Sequence, residues 1–244
     1  MLHYGDELQD LMRRNLAGHE VRTHPLDGRR HAAVAVVVVD SDAQRHGHDD
    51  GWAGVPDGGI VQEIPGRRDG DGIDGNVAGT AGGPAVLLTR RGAHLSAHAR
   101  QWALPGGRIN TGERAVDAAL RELHEELGLR CSEADVLGRL DDYPTRSGYV
   151  ITPFVVWGGA DPDLVPDPGE VASVHRVSLR ELLRPDSPRF VQIPESDRPV
   201  VQIPIGRDLV HAPTGAVLLQ FRFVAVEGRL ERVDNLEQPV FAWR

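Results

Sequence analysis

The sequence predicts an α/β fold in which a mixed β-sheet carries helices on its faces. Three observations predict it. Ala33 to Val39 (AVAVVVV) is an unbroken run of small and β-branched residues, the mark of a strand buried on both faces. Arg114 to Leu127 repeats apolar residues at helical spacing and is stopped by Gly128. Short apolar runs of strand length, separated by turn residues, follow it.

In chain order, Glu7 to Leu16 places Leu8, Leu11 and Met12 at helical spacing, so a short amphipathic helix opens the chain. Ala33–Val39 is the first strand and Ala85–Thr89 (AVLLT) the second. Trp102–Leu104 reads as a short strand ending in the turn Pro105-Gly106-Gly107. After the long helix, strands are expected at Gly138–Tyr143, Tyr149–Val156 and Val171–Val177, then a short helix at Leu179–Leu183. Five prolines between Pro185 and Ile205 predict a wrapping loop there. Val217–Val226 and Pro239–Trp243 have strand-like character, and this tail either completes the sheet or supplies a partner surface, which leaves a homodimer contact open.

With 244 residues the chain is expected to be a single domain over 1–244. Residues 1–31 form a helix and lead-in, 40–83 an insertion and 184–244 a C-terminal extension. The net charge of −9 excludes a general nucleic-acid or anionic-membrane binder, because neutralising phosphates requires a basic face. No stretch approaches the roughly 18 apolar residues of a membrane span. The amino terminus does not read as a signal peptide, and a lone cysteine, Cys131, fits a reducing, cytoplasmic setting.

The charge is unevenly spread. Asp40 to Gly83 holds 12 of the 28 glycines and nine acids against three bases, a net of −6. So few bulky apolar groups cannot offset the entropy of ordering, and a flexible insertion between neighbouring strands is expected. Loop closure makes such insertions cheap. The Asp/Gly run Asp69–Gly75 lacks the closing Glu and flanking helices of a calcium loop.

The acids of the long helix are placed differently. At about 100° per residue, Glu122, Glu125 and Glu126 share an arc of roughly 100°. Val116, Ala119, Leu120, Leu123 and Leu127 form a separate apolar stripe for docking on the sheet. Like charges at this spacing repel by a few tenths of a kcal/mol per pair, roughly, so a cation should compensate. Arg121 can pair with Glu125, yet one guanidinium does not neutralise three acids. Hard divalent cations favour such clustered carboxylates and join them to phosphates.

From Gly107 the chain reads GRINTGERAVDAALRELHEELGL, with Gly107, Glu113, Arg121, Glu122, Leu123, Glu125, Glu126, Gly128 and Leu129 at the spacing G-x5-E-x7-R-E-U-x-E-E-x-G-U, where U is a bulky aliphatic. That is the Nudix box, and the chain resembles the Nudix hydrolase family. The resemblance implies an α/β/α sandwich and hydrolysis of a nucleoside diphosphate linked to another moiety, using Mg²⁺ or Mn²⁺. It implies that Glu122, Glu125 and Glu126 hold the metal, Glu122 and Glu126 most directly. Arg121 would orient the carboxylates and Glu113 would support the loop. The Gly106 carbonyl would be a further ligand, since glycine lets backbone approach the ion. Gly106 and Gly107 would line the substrate.

Upstream, Leu87 to Gly107 (LLTRRGAHLSAHARQWALPGG) resembles the signature LLT-x-R-S-x3-R-x3-G-x3-F-P-G-G of the coenzyme A pyrophosphatase subgroup, departing from it at Gly92, Ser96, Arg100 and Leu104. Ser147–Val155 (SGYVITPFV), Glu170-Val171 and Val177–Leu182 add to the likeness. It implies a coenzyme A derivative as substrate, with ADP-ribose, a nucleotide sugar or another nucleotide left open by the departures. Arg91 is the candidate phosphate contact, or else a surface arginine at a strand end. Glu170 is a candidate metal ligand or general base, or else a partner for Arg176. Tyr149 or Phe154 is a candidate for stacking on a base, with a place in the core as the alternative. From another functional class, a Nudix-like regulatory domain that binds without turnover would be expected to lack one or more of the box acids.

Overall fold

A strand that is apolar on both faces belongs at the centre of a sheet covered on both sides, and the computed structural model places Ala33–Val39 there. It describes residues 2–40, 83–91, 101–205 and 208–240. In chain order the elements are α1 (Asp6–Ala17), β1 (Arg30–Asp40), β2 (Pro84–Arg91), β3 (Trp102–Ala103), β4 (Gly106–Arg108), α2 (Ala115–Leu127), β5 (Val136–Arg139), β6 (Tyr143–Pro144), β7 (Tyr149–Gly159), β8 (Val171–Ser178), α3 (Leu179–Leu182), β9 (Arg189–Ile193), β10 (Ser196–Ile205), β11 (Asp208–His211) and α4 (Thr214–Phe221), which runs on as a π-helix over Arg222–Val226. The expected insertion lies over 41–82, outside the described residues, as do Gly92, Ser96 and Arg100.

The main sheet is mixed, in the order β3-β2-β1-β7-β5. β1 and β7 run parallel over their whole length, and the other pairings are antiparallel. β2 and β4 share one edge of β1 at different heights, while β8 lies on the far side of β2. Ala33, Ala35, Val37 and Val39 of β1 point to one face, where α2 packs with Ala118, Ala119, Leu123 and Leu127. Val36 and Val38 point to the other, against Leu8, Met12 and Leu16 of α1 and the buried residues of α4. The result is the expected α/β/α layering.

Energies decide how α2 docks. Leu123 and Leu127 are fully buried. Each is worth about 1.5–3 kcal/mol, which outweighs the few tenths lost per pair of neighbouring glutamates. The apolar stripe therefore takes the sheet, and the acids are carried to the edge where β4 lies. Gly128, at φ +70°, ends the helix in the left-handed conformation.

Four expectations need correction. Pro185–Ile205 is not mainly loop: β9, β10 and β11 form a second antiparallel sheet in the order β11-β10-β9. The prolines fit because β9 and β11 overlap in pairing with β10 only at Gln202. Pro199 falls at a register break opposite β9 and Pro204 faces β11 alone. Val217–Val226 is helical, because a run that is apolar all round reads equally as a buried helix, and Gly215 to Phe221 are all buried. It thus neither completes the sheet nor presents a partner surface.

The strand expected at Gly138–Tyr143 is broken into β5 and β6, with Asp141 and Asp142 turned inward between them. At the chain end, Pro239 and Val240 are not in a strand, and 241–244 lie outside the described residues. No described helix is long and apolar enough to cross a membrane.

Candidate active site

The site is built where β4 meets α2. Pro105 accepts a backbone hydrogen bond from Ala35 at 2.9 Å, and Gly106 and Gly107 pair with Val34 and Ala33. Close approach to backbone requires the glycine at 106, and the glycine at 107 leaves the room that the Glu122 carboxylate occupies. A methyl group on Gly106 would lie 2.4 Å from the Ala33 oxygen, and one on Gly107 would lie 2.4 Å from the Glu122 carboxyl carbon. The Gly-Gly turn is thus the wall against which Glu122 is held.

Arg121 organises the acids around it. Its Nε and Nη2 donate to the two oxygens of Glu113 at 2.8 and 3.1 Å, and its Nη1 donates to Glu122 and to Glu125, each at 2.8 Å. Nη2 also donates to the Arg108 carbonyl at 3.1 Å, which ties the helix to β4. Glu113 accepts the Asn110 N–H at 2.8 Å. These bonds, Arg121 first, hold the Glu113 carboxyl below the usual range. The planar fork of arginine suits this work, since a lysine could not serve Glu113 with two parallel bonds.

Glu126 is only 5% exposed and is the most deeply buried acid of the box. Burial, reinforced by the charges of Glu122 and Glu170, pushes its pKa up to about 8 against the pull of Arg91 and of the Gly106 N–H. Glu122 is raised as well, chiefly by burial, with Glu125 and Glu170 adding to it against Arg121. Glu170 reaches this centre because the end of α2 is tethered to a distant loop. Val165 N–H bonds the Leu127 carbonyl and Asp167 N–H bonds the Glu126 carbonyl, each at 2.9 Å. That tether makes use of carbonyls a helix end leaves free.

The structure therefore brings together Glu113, Arg121, Glu122, Glu126, Glu170, Arg91, Gly106 and Gly107. Arg91 sits at the end of β2, opposite Val171 and hence beside Glu170, and its buried Nε has no hydrogen-bond partner among the described residues. Arg176, the alternative partner for Glu170, pairs with Asp161 at 3.6 Å and donates to the Pro162 carbonyl. Glu125 stands apart, with a side chain 57% exposed and tied to Arg121. Phe154 is core, packed with the α2 layer. Tyr149 carries the Arg30 guanidinium over its ring at 4.1 Å.

Among the described residues no three His, Cys, Asp or Glu side chains form a ready-made metal cage. The donor set nevertheless fits a hard divalent cation. Glu122 and Glu126 are both partly removed from water, and the charge of Glu122 adds to what raises the pKa of Glu126, so a cation would relieve both conditions. Asn110, the Arg108 carbonyl and the 165–167 tether were not foreseen. Asn110 lies in the loop ahead of the helix and Arg108 at the end of β4, and both act through backbone groups, which leave no signature in residue type. The tether joins positions about forty residues apart.

The comparisons with known proteins agree with this geometry. The family described as NUDIX domain matches residues 76–194. A protein named "Uncharacterized Nudix hydrolase NudL" from Photorhabdus laumondii is 37% identical over 111 residues, 45% of this chain and 59% of that protein. One of the same name from Yersinia enterocolitica is 40% identical over 105 residues, 41% of this chain and 52% of that protein. The matched stretch thus spans between half and three-fifths of these relatives. A MutT/nudix family protein from Enterococcus faecalis superposes with a TM-score of 0.49 at 16% identity, covering 96% of this chain and 79% of that one, too loose a likeness to bear on function. Residues 76–194 are thus similar to a Nudix domain, and that stretch carries the box on the sheet with its α2 layer.

Proposed function

We propose that this chain is a metal-dependent pyrophosphohydrolase that cleaves the diphosphate of a nucleoside diphosphate linked to another moiety, with coenzyme A or a related derivative as the leading substrate. The observation that carries the reading is the carboxylate pair Glu122 and Glu126 beside Gly106-Gly107, both raised by burial, with the charge of Glu122 opposing ionisation of Glu126 and Arg121 bonding only Glu122 of the two. Glu122, Glu126 and the Gly106 carbonyl would hold Mg²⁺ or Mn²⁺, with Glu125 as the outer carboxylate of the set. A bound divalent ion supplies neutralisation of phosphate charge and a nucleophilic water for in-line attack at phosphorus.

The chain's own groups do the rest. Arg121 keeps Glu122 and Glu125 oriented and is itself anchored by Glu113. Arg91, whose buried Nε has no hydrogen-bond partner among the described residues, would take a phosphate oxygen. Glu170, outside the box but within its field, is the candidate general base or additional ligand. Coenzyme A is favoured by the spacing of Leu87, Leu88, Thr89, Arg91 and Pro105-Gly106-Gly107 and by the Ser147–Val155 segment. The departures at Gly92, Ser96, Arg100 and Leu104 leave ADP-ribose, a nucleotide sugar or another nucleotide open as the second reading.

A panel of coenzyme A, ADP-ribose, NADH, dinucleoside polyphosphates and dNTPs, each with Mg²⁺, tests the proposal, with Glu126→Gln as control. Cleavage of coenzyme A that is lost in the variant is expected. Equal activity in Glu126→Gln overturns the metal-site assignment, and no turnover of any compound makes the domain a ligand-binding module.

A further inference from the structure

Two arginines beside the site have no carboxylate partner among the described residues. Arg30 opens β1 and Arg108 closes β4, directly after the Gly-Gly turn. In register, Arg30 lies opposite Tyr149 and Arg108 opposite Ala32, so both side chains emerge on the sheet face away from α2. The Tyr149 ring holds them together. The Arg30 guanidinium lies 4.1 Å from the ring centre and that of Arg108 5.8 Å, while Arg108 Nε and Nη2 donate to the Tyr149 hydroxyl at 3.1 and 3.0 Å.

Both arginines are exposed, and among the described residues neither forms an ion pair. In a chain of net charge −9, two guanidinium groups on one ring without an acid between them leave a place for an anion. The path from the carboxylates is short. Gly107 faces Glu122 on one side of β4 and Arg108, the next residue, faces the other. β4 pairs with β1 alone among the described strands, so its outer edge can be crossed by an extended ligand.

We infer that Arg30 and Arg108, fixed by Tyr149, bind a phosphomonoester that the substrate carries in addition to its diphosphate. This deepens the reading above and rests on it: the diphosphate sits at Glu122 and Glu126, and the nucleoside bends over the β4 edge. The substrate class is then a nucleoside diphosphate derivative with a further phosphate on its ribose, of which coenzyme A is one member. Arginine suits this role because its fork meets two phosphate oxygens at once.

The test compares adenosine 3′,5′-bisphosphate with AMP by calorimetry in Mg²⁺; neither contains a diphosphate, so neither is turned over. The wild-type protein is expected to bind the bisphosphate at least about tenfold more tightly, the gain of one charge-assisted pair. In Arg30→Gln/Arg108→Gln that ratio should fall to near one, and in Arg30→Lys/Arg108→Lys it should be partly kept. Equal affinities in the wild type, or a ratio unmoved by the glutamine pair, overturn the inference. The two readings fail separately. Cleavage of diphosphates without a bisphosphate preference sinks the arginine site alone, whereas the preference without any cleavage sinks the hydrolase.

Discussion

Glu126 and Asp141 are both carboxylates almost wholly removed from water, at 5% and 3% exposure, and they are treated in opposite ways. Asp141 is saturated. His19 Nε2 lies 2.8 Å from it, and the Arg22 N–H, Gln220 Nε2 and Arg232 Nη1 each lie at 2.7 Å. Although burial would raise its pKa, these donors hold it below the ordinary value. Its partners come from the lead-in after α1, from α4 and from the C-terminal stretch, so Asp141 latches three remote segments to the main sheet.

Glu126 receives one backbone N–H and the distant pull of Arg91, and stands among other acids. A buried acid with all its donors is a structural joint; one left short of them would gain from a cation brought to it, which is the role proposed for Glu126.

The sharpest break between the two is by substitution. Glu126→Gln should lower turnover by roughly 10²–10³-fold or more, the loss typical of removing one preorganised charge-stabilising group. Its thermal midpoint without metal should stay level or rise, because the change removes a buried acid surrounded by like charge. Steady-state kinetics and melting of the same preparation check both. Asp141→Ala should do the reverse, costing about 3–5 kcal/mol in urea unfolding because it strands buried partners, while kcat of the folded fraction holds.

Acid and base should separate the pair next. Asp141 is lowered from 3.8, so its contribution is complete above that pH and is lost as pH falls through its folded value. Glu237, held at about 2 despite burial by Arg146, the Gln238 N–H and Ser196, behaves likewise. Glu126 has the other sign. The native state keeps a proton that the unfolded chain releases above 4.5, so metal-free stability should fall as pH rises from about 4.5 to 8. Chemical denaturation across pH should show that slope flattened in Glu126→Gln and the acid slope flattened in Asp141→Asn. The smallest effect is expected at Glu125, half out in water and tied only to Arg121. Glu125→Gln should change kcat/KM several-fold at most, far less than Glu126→Gln, and equal losses would dissolve the distinction between inner and outer acids.

The box was legible because its information is local. Gly107, Glu113, Arg121 and the three glutamates lie within twenty residues, and helical geometry converts their spacing directly into shared position. The central strand was legible for a similar reason, as burial on both faces leaves no polar residue to alternate. Asp141 could not be read in this way. Its donors are spread from His19 to Arg232, and nothing at Gly138–Tyr143 marks the two acids that interrupt the strand. The second sheet was hidden by its prolines, which are tolerated only because of where β9 and β11 happen to pair. The C-terminal helix was hidden by its apolarity, since a segment buried all round has no periodicity to betray its type.

By itself, then, the sequence determined the mixed sheet, the box helix and the identity of the acids upon it, all of which follow from residue type and short-range geometry. Only the tertiary structure decided which acid is starved of donors, that Glu170 and Arg91 share its field, and that Arg30 and Arg108 meet on one tyrosine. Those are outcomes of desolvation and of contacts between remote segments, and both arise only when the chain has packed.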